Sequence, residues 1–413
     1  MTDDQAPRRA VLTGIGVIAP NGVGTDDFWK AVQEGASVLG PISREGCGDQ
    51  PLRVAGEVRG FEPSGSVEER YLVQTDRFTH FAMAAADLAL ADAALDPTAG
   101  SPFSVGVVTA AGSGGGEFGQ RELQQLWGRG PEYVGPYQSI AWFYAASTGQ
   151  VSIRGGFKGP CGVVASDEAG GLDALAHAAR AIRRGTEAVV VGAAEAPLAP
   201  YSMVCQLGYP ELSRSADPDS AYLPFTAQAA GFAPAEGGAM FVVESRAAAA
   251  ARGARIRAQL AGHAATFTGA SRWAESREGL ARAVRGALRE AHCAPDEIDV
   301  VFADALGTPE ADLAEVLALR DALGDHAGRV PVTAPKAGFG RAYCGAPMLD
   351  VAAAVLALEQ GVIPPTPRVT KVCHEVDLVT RYARSCELRT ALVLSRGLMG
   401  SNAALVLRRG QEV

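Results

Sequence analysis

The sequence predicts a layered α/β fold made of two similar halves. Three observations carry this. Short apolar runs alternate with helical patterns, a second series of runs repeats the order of the first, and two helices are apolar enough to lie between sheets. The first runs are Ala10 to Gly14, Val105 to Thr109, Ala188 to Gly192 and Ala239 to Val243, with a helical pattern at Phe78 to Ala94. A polar, Ala/Arg-rich connector follows at Ser245 to Ala254. The second series comprises Ile256 to Ala261, Val300 to Ala303, Val330 to Thr333, Ala391 to Leu394 and Ala403 to Leu407.

Of the two central helices, one spans about Glu168 to Arg184. Leu172, Leu175, Ala176, Ala179 and Ile182 share a face, Gly170 and Gly171 permit close approach, and Arg183 and Arg184 suit the C-terminal dipole. The other, Leu349 to Leu358, is apolar nearly all round. Each starts after an irregular segment, so its free N–H groups suit an anion or a developing oxyanion.

At 413 residues with 47% hydrophobic and 20% charged residues, the chain has ample material for a large core. The net charge of -9 opposes a phosphate backbone, so nucleic acid is not expected as a partner. The seven cysteines are widely spaced, with no C-x-x-C pair, which fits a reducing cytoplasm. Val11 to Ile18 runs into Pro20-Asn21-Gly22, as a first strand and turn would. No apolar run approaches the roughly 18 residues of a membrane span, so a soluble, cytoplasmic protein is expected.

Several common chemistries find no support. The run Gly112 to Gly119 lacks the Lys-Ser/Thr of a phosphate loop and the acidic ribose partner of a dinucleotide site, and reads better as backbone passing close to something bulky. The six histidines show no metal-ligand spacing, so no metal is expected. A G-x-S-x-G elbow is missing.

Val11-Leu12-Thr13-Gly14-Ile15-Gly16, Gly307-Thr308, Val332-Thr333-Ala334-Pro335-Lys336 with Gly340, and Gly361-Val362-Ile363-Pro364-Pro365-Thr366 together resemble segments of the β-ketoacyl synthase family over essentially the whole chain. The resemblance implies a thiolase-like fold: duplicated βαβαβαββ halves, residues 1–250 and 251–413, in an αβαβα sandwich with two buried central helices. An active member needs a cysteine at the N-terminus of the first buried helix and two histidines that polarise the thioester. The resemblance places Glu168 at the cysteine position and Arg341 at the second histidine. Counting back from Gly307-Thr308 puts Leu306 at the first, and Lys336 is retained. A carboxylate forms no stable exchangeable thioester and leucine carries no proton, so condensation by this chain alone is not expected.

That loss, with Tyr137 to Tyr144 and Ser147 to Gln150, is similar to the family's chain length factors, the ketosynthase β subunits of bacterial type II polyketide synthases. The subfamily commonly carries glutamine where this chain has Glu168. The resemblance implies a heterodimer with a cysteine-bearing ketosynthase α subunit, an acyl carrier protein that presents malonyl units and the growing poly-β-ketone on phosphopantetheine, and no cofactor on this chain. It assigns the tunnel that sets product length to Gly116, Phe118, Gly119 and Leu123, with Tyr201 deeper. Two glycines and a leucine leave room for a decaketide-class backbone or longer, and Gly119→Phe or Leu123→Phe should shorten it. Leu398 and Met399 stand in the family's gating loop. An alternative is malonyl-carrier decarboxylation through Glu168, opposed by the repulsion between two carboxylates unless Glu168 is protonated or paired with Arg341.

Overall fold

The computed structural model describes residues 9–48, 50–269, 276–397 and 399–410. In the first half the framework is β1 (Ala10–Ala19), α1 (Arg77–Asp92), β2 (Val105–Ala110), α2 (Gly116–Arg129), β3 (Cys161–Val164), α3 (Gly170–Arg183), β4 (Ala188–Glu195) and β5 (Gly237–Ser245). After a short helix, Arg246–Ala251, the second half runs through β6 (Ala258–Phe267), α4 (Arg277–Ala291), β7 (Val300–Phe302), α5 (Pro309–Leu323), β8 (Pro331–Thr333), α6 (Gly345–Gln360), β9 (Thr390–Arg396) and β10 (Ser401–Arg409). Each half reads βαβαβαββ.

The duplication is visible in the strand order. The first half pairs β1-β5-β4-β2-β3 and the second β6-β10-β9-β7-β8, with the first two pairings antiparallel and the last two parallel in both. The halves join where Val11 and Leu12 of β1 meet Gln259 and Ala258 of β6. Alternation along the strands sorts the core. Val189 and Val191 face the central layer with α3 and α6, while Val190 packs outward with Phe78, Phe81 and Met83 of α1. In the second half Ala391 and Val393 face inward, whereas Leu392 and Leu394 meet α4 and α5. The result is five layers, α-β-α-β-α.

The central layer explains both helix compositions. Residues Gly345 to Leu358 of α6 are all buried, so no polar face is needed. α3 packs against it at Gly171, where a Cβ would stand 2.7 Å from the Cys344 carbonyl oxygen and 2.9 Å from Pro347 Cγ. Only glycine permits that approach. Sequence periodicity misses β3, four residues whose side chains are exposed or half-buried, because a strand at the sheet edge lacks a buried apolar run. Among the described residues no helix is long and apolar enough to cross a membrane.

Candidate functional site

The start of α3 is preceded by a turn, Asp167–Ala169, in which Asp167 adopts a left-handed φ of 57° and Glu168 is buried. Glu168 Oε2 accepts a hydrogen bond from Arg341 Nε at 2.7 Å. The Arg341 guanidinium also donates to Asp304 Oδ1 at 2.7 Å, to the Asp304 carbonyl at 2.9 Å and to the Arg396 carbonyl at 2.8 Å. Arg396, at the end of β9, in turn donates to Asp304 Oδ2 and to Glu315 of α5, both at 3.0 Å. Lys336 Nζ lies 2.5 Å from Asp350 of α6 and donates to the Asp304 carbonyl at 3.2 Å.

These side chains correct one expectation. Leu306 does not reach the site: it is buried in a separate apolar cluster with Tyr222, Phe232 and Tyr343. The backbone beyond β7 turns between residues 304 and 307, with Ala305 and Gly307 at φ of 50° and 84°, so side chains two positions apart do not share a direction there. Asp304 is the residue that converges on Arg341 and, through it, on Glu168. The other positions do meet, since Glu168 and Arg341 form an ion pair with both side chains almost fully buried.

Five carboxyl groups (Glu168, Asp304, Asp312, Glu315, Asp350) and three cations (Lys336, Arg341, Arg396) are buried in this network. Burial favours protonation wherever the cations do not compensate. It pushes Glu168 up to about 7 against the pull of Arg341, and Asp312 to about 7. Asp350 rises to about 6 despite Lys336. For Asp304 burial also acts upward, but Arg341, Arg396 and Lys336 together hold it below its ordinary value.

A pH dependence follows. Between the ordinary 4.5 and about 7, folded Glu168 keeps a proton that the unfolded chain has lost, so its stabilisation is full below that window and declines as pH rises through it. Asp312 and Asp350 act in the same direction, while Asp304 titrates below the window. Denaturant unfolding is expected to show stability falling from about pH 5 to about pH 8, with a shallower fall in Glu168→Gln. An equal slope in that variant would contradict it.

From Glu168 a cavity of about 750 Å³ extends outward. Its lining includes Gly116, Gly119, Leu123, Tyr201, Glu168 and Met399. Gly116, Gly119 and Leu123 share a face of α2 because they stand at i, i+3 and i+7. Phe118 does not line this cavity. It lies about 200° around the helix from Gly116, buried beneath the Arg121 guanidinium at 4.5 Å, with its backbone N–H bonded to Asp76. The glycine run passes close to neighbouring backbone, as expected: a Cβ on Gly115 would stand 2.0 Å from the Ala141 carbonyl oxygen. Met399 is exposed, and its N–H donates to Asp167 Oδ2 at 2.8 Å, which ties the loop to the turn bearing Glu168. Leu398 lies outside the described residues.

Cys344, at the start of α6, also lines the cavity. Burial pushes its thiol well above the ordinary range, and the nearby Glu195 carboxylate adds to this, so it stays a thiol. No lysine or arginine among the described residues lines the cavity, whereas Asp167 and Glu168 do. An uncharged, polar-substituted chain suits such a wall better than an anion. Sequence reasoning missed Asp304, Asp350, Glu315 and Arg396. The available signal was a charged residue set in or just beyond an apolar run, as at Val300 to Asp304 and Ala391 to Arg396.

Trp142 and Tyr144 of the cavity lining are exposed, as are their chain neighbours Tyr137, Ile140 and Phe143, and Trp127 is 82% exposed further along α2. With β3 at the sheet edge, this face offers both apolar area and unpaired strand groups.

Comparison with known proteins agrees with this architecture. Residues 8–249 match the family model described as Beta-ketoacyl synthase, N-terminal domain, and residues 257–370 match Beta-ketoacyl synthase, C-terminal domain. A Streptomyces coelicolor protein named "Putative polyketide beta-ketoacyl synthase 2" is 73% identical over 98% of this chain and 95% of its own length. The "Tetracenomycin polyketide synthase ketoacyl synthase beta subunit" of Streptomyces glaucescens is 48% identical over 98% of this chain and 99% of its own. The solved structure titled "The ishigamide ketosynthase/chain length factor" superposes with a TM-score of 0.90 at 27% identity, covering 98% of this chain and 100% of that one. A second, titled as a type II PKS acyl-carrier protein in complex with its ketosynthase bound to the hexaketide, has a TM-score of 0.86 at 27% identity, with the same coverage.

Proposed function

The chain belongs to the β-ketoacyl synthase family, and from that premise we propose that it is the chain length factor of a type II polyketide synthase, pairing with a cysteine-bearing ketosynthase. The observation that carries this reading is the cavity. It joins the place of the missing nucleophile to an exposed apolar face, so a chain growing on a partner seated on that face has somewhere to go. Exposed apolar residues and the β3 edge fit a partner that contributes a matching surface. An acyl carrier protein supplies malonyl units on phosphopantetheine, and this chain holds no cofactor of its own.

The subunit takes part in β-ketoacyl transfer without performing condensation. Condensation needs a thiolate that accepts the acyl chain. Glu168 forms no exchangeable thioester, and Cys344 is held as a thiol by burial and Glu195. Decarboxylation of malonyl groups at Glu168 finds little support. Arg341 is engaged by Glu168, Asp304 and the Arg396 carbonyl, and the cavity presents carboxyl groups to an incoming malonate.

The test is reconstitution with carrier protein and malonyl donor. Polyketide should form only when a cysteine-bearing ketosynthase is present, with acyl groups attached to that partner and none to this chain by intact-protein mass spectrometry. Condensation by this chain alone would refute the proposal.

A further inference from the structure

The start of α2 is held by a side chain from another helix. α2 has no side-chain cap of its own, since Gly115 precedes it, and first-turn N–H groups have no partner within a helix. The buried Phe118 N–H donates instead to Asp76 Oδ2 at 2.7 Å. The other oxygen, Oδ1, accepts from the Phe78 N–H at 3.3 Å and caps α1. One buried carboxyl group thus serves the first turns of two helices.

Both ends of this link bear on the tunnel. α1 belongs to the outer layer, where Phe78, Phe81 and Met83 pack with Val190 of β4 and Val242 of β5. α2 carries Gly116, Gly119 and Leu123 on the cavity wall. Asp76 does not itself line the cavity, so whatever it does there it does through α2. Contact at the helix start is close: a Cβ on Gly115 would stand 2.9 Å from Asp76 Cβ. Two other ties of this stretch, from the Gly115 N–H to the Trp142 carbonyl at 3.0 Å and from the Tyr201 N–H to Gln120 Oε1 at 2.8 Å, run to residues that line the same cavity. Asp76 runs to the outer layer instead. A charge-assisted bond is short and directional, so it holds one helix start at a set distance from the other.

We propose that Asp76 is a positioning residue of the product tunnel: by fastening the first turn of α2 to α1, it fixes how far the wall of Gly116, Gly119 and Leu123 stands into the cavity, and so how sharply product length is defined. This rests on the chain length reading above and adds to it a residue outside the wall that sets the wall's place.

Asp76→Ser separates the two bonds. Serine caps α1 as well as aspartate does, but its single hydroxyl oxygen does not also serve Phe118. In the reconstituted heterodimer, amide hydrogen exchange at the start of α2 should quicken roughly tenfold, the worth of one such bond, while the start of α1 keeps its rate. By mass spectrometry of released polyketides, the ratio of the main product to products of other lengths should fall roughly five- to tenfold, with total turnover within about twofold. Asp76→Asn keeps the volume but offers one acceptor oxygen to two donors. It serves where Asp76→Ser does not fold, and its ratio should fall in the same direction. Ser245→Ala is the control for a lost cap as such: it frees the Ala248 N–H of the short helix Arg246–Ala251, away from the cavity lining, and should leave the ratio unchanged.

Unchanged product ratios in the Asp76 variants would overturn the proposal. So would unchanged exchange at α2 in Asp76→Ser, or an equal fall in Ser245→Ala, which would assign the effect to general stability. Gly119→Phe in the same assay separates the two levels. If it shortens the product while the Asp76 variants keep the ratio, only the positioning role falls; if it leaves length unchanged, the tunnel reading falls with it.

Discussion

A heterodimer carrying Gly119→Phe is expected to release polyketides shorter by roughly two ketide units. The reason is spatial. An aromatic ring needs about 150 Å³, one-fifth of the 750 Å³ available. Gly119 suits this test better than its neighbour, because a Cβ there would find its nearest atoms, Gln138 Nε2 and Trp142 Cβ, at 3.8 Å, an ordinary contact distance. Gly116 is different: any side chain there strikes the Ser202 hydroxyl, so a change in length would be confounded with a change in folding. Replacing glycine within α2 also favours the helix by about 0.5 kcal/mol or more. Leu123→Phe should act in the same direction but less, since Leu123 is 39% exposed at the outer end. Mass spectrometry of the released products decides it, and an unchanged length in both variants would remove this helix face from the tunnel.

The second large effect concerns stability. Arg396→Leu should destabilise the protein by about 3–5 kcal/mol, because it strands carboxylates that the guanidinium neutralises. Arg396 is fully buried and donates to Asp304, Glu315 and the Ala311 carbonyl. It does not line the cavity, so the loss concerns folding alone. Arg389→Leu provides the contrast: its ion pair with Glu387 is largely exposed to solvent, so its loss should leave the unfolding midpoint nearly unchanged. Denaturant titration of the two variants measures both. Similar midpoints would mean that the buried network carries no net stability.

On the proposed reading the network stands where a condensing enzyme has its active site. Where a condensing enzyme keeps a thiol and two imidazoles, this chain has a carboxyl group, a guanidinium and a second carboxylate that bind one another.

Much of this was legible in the residues. The repeated order of apolar runs marked the two halves, and the all-apolar stretch Leu349 to Leu358 marked a helix with no solvent face. Glu168 marked a carboxyl group at the head of α3, where the structure buries it against Arg341. Each of these depends on local pattern or on a single side chain's chemistry, which sequence records directly.

Other features depended on directions in space. Leu306 and Asp304 are two residues apart, and only the turn beyond β7 decides which of them meets Arg341. Phe118 stands next to Gly119 in the chain but on another side of α2, where it meets Arg121 and not the cavity. β3 carries no apolar signature because one of its edges is open. The sequence by itself determined which reactive groups are present and which layers can form, since burial and reactivity are properties of residue type and spacing. The tertiary structure alone decided which side chains converge, because residues as distant as 168 and 341 meet only through the packing of α3 against α6 between two sheets.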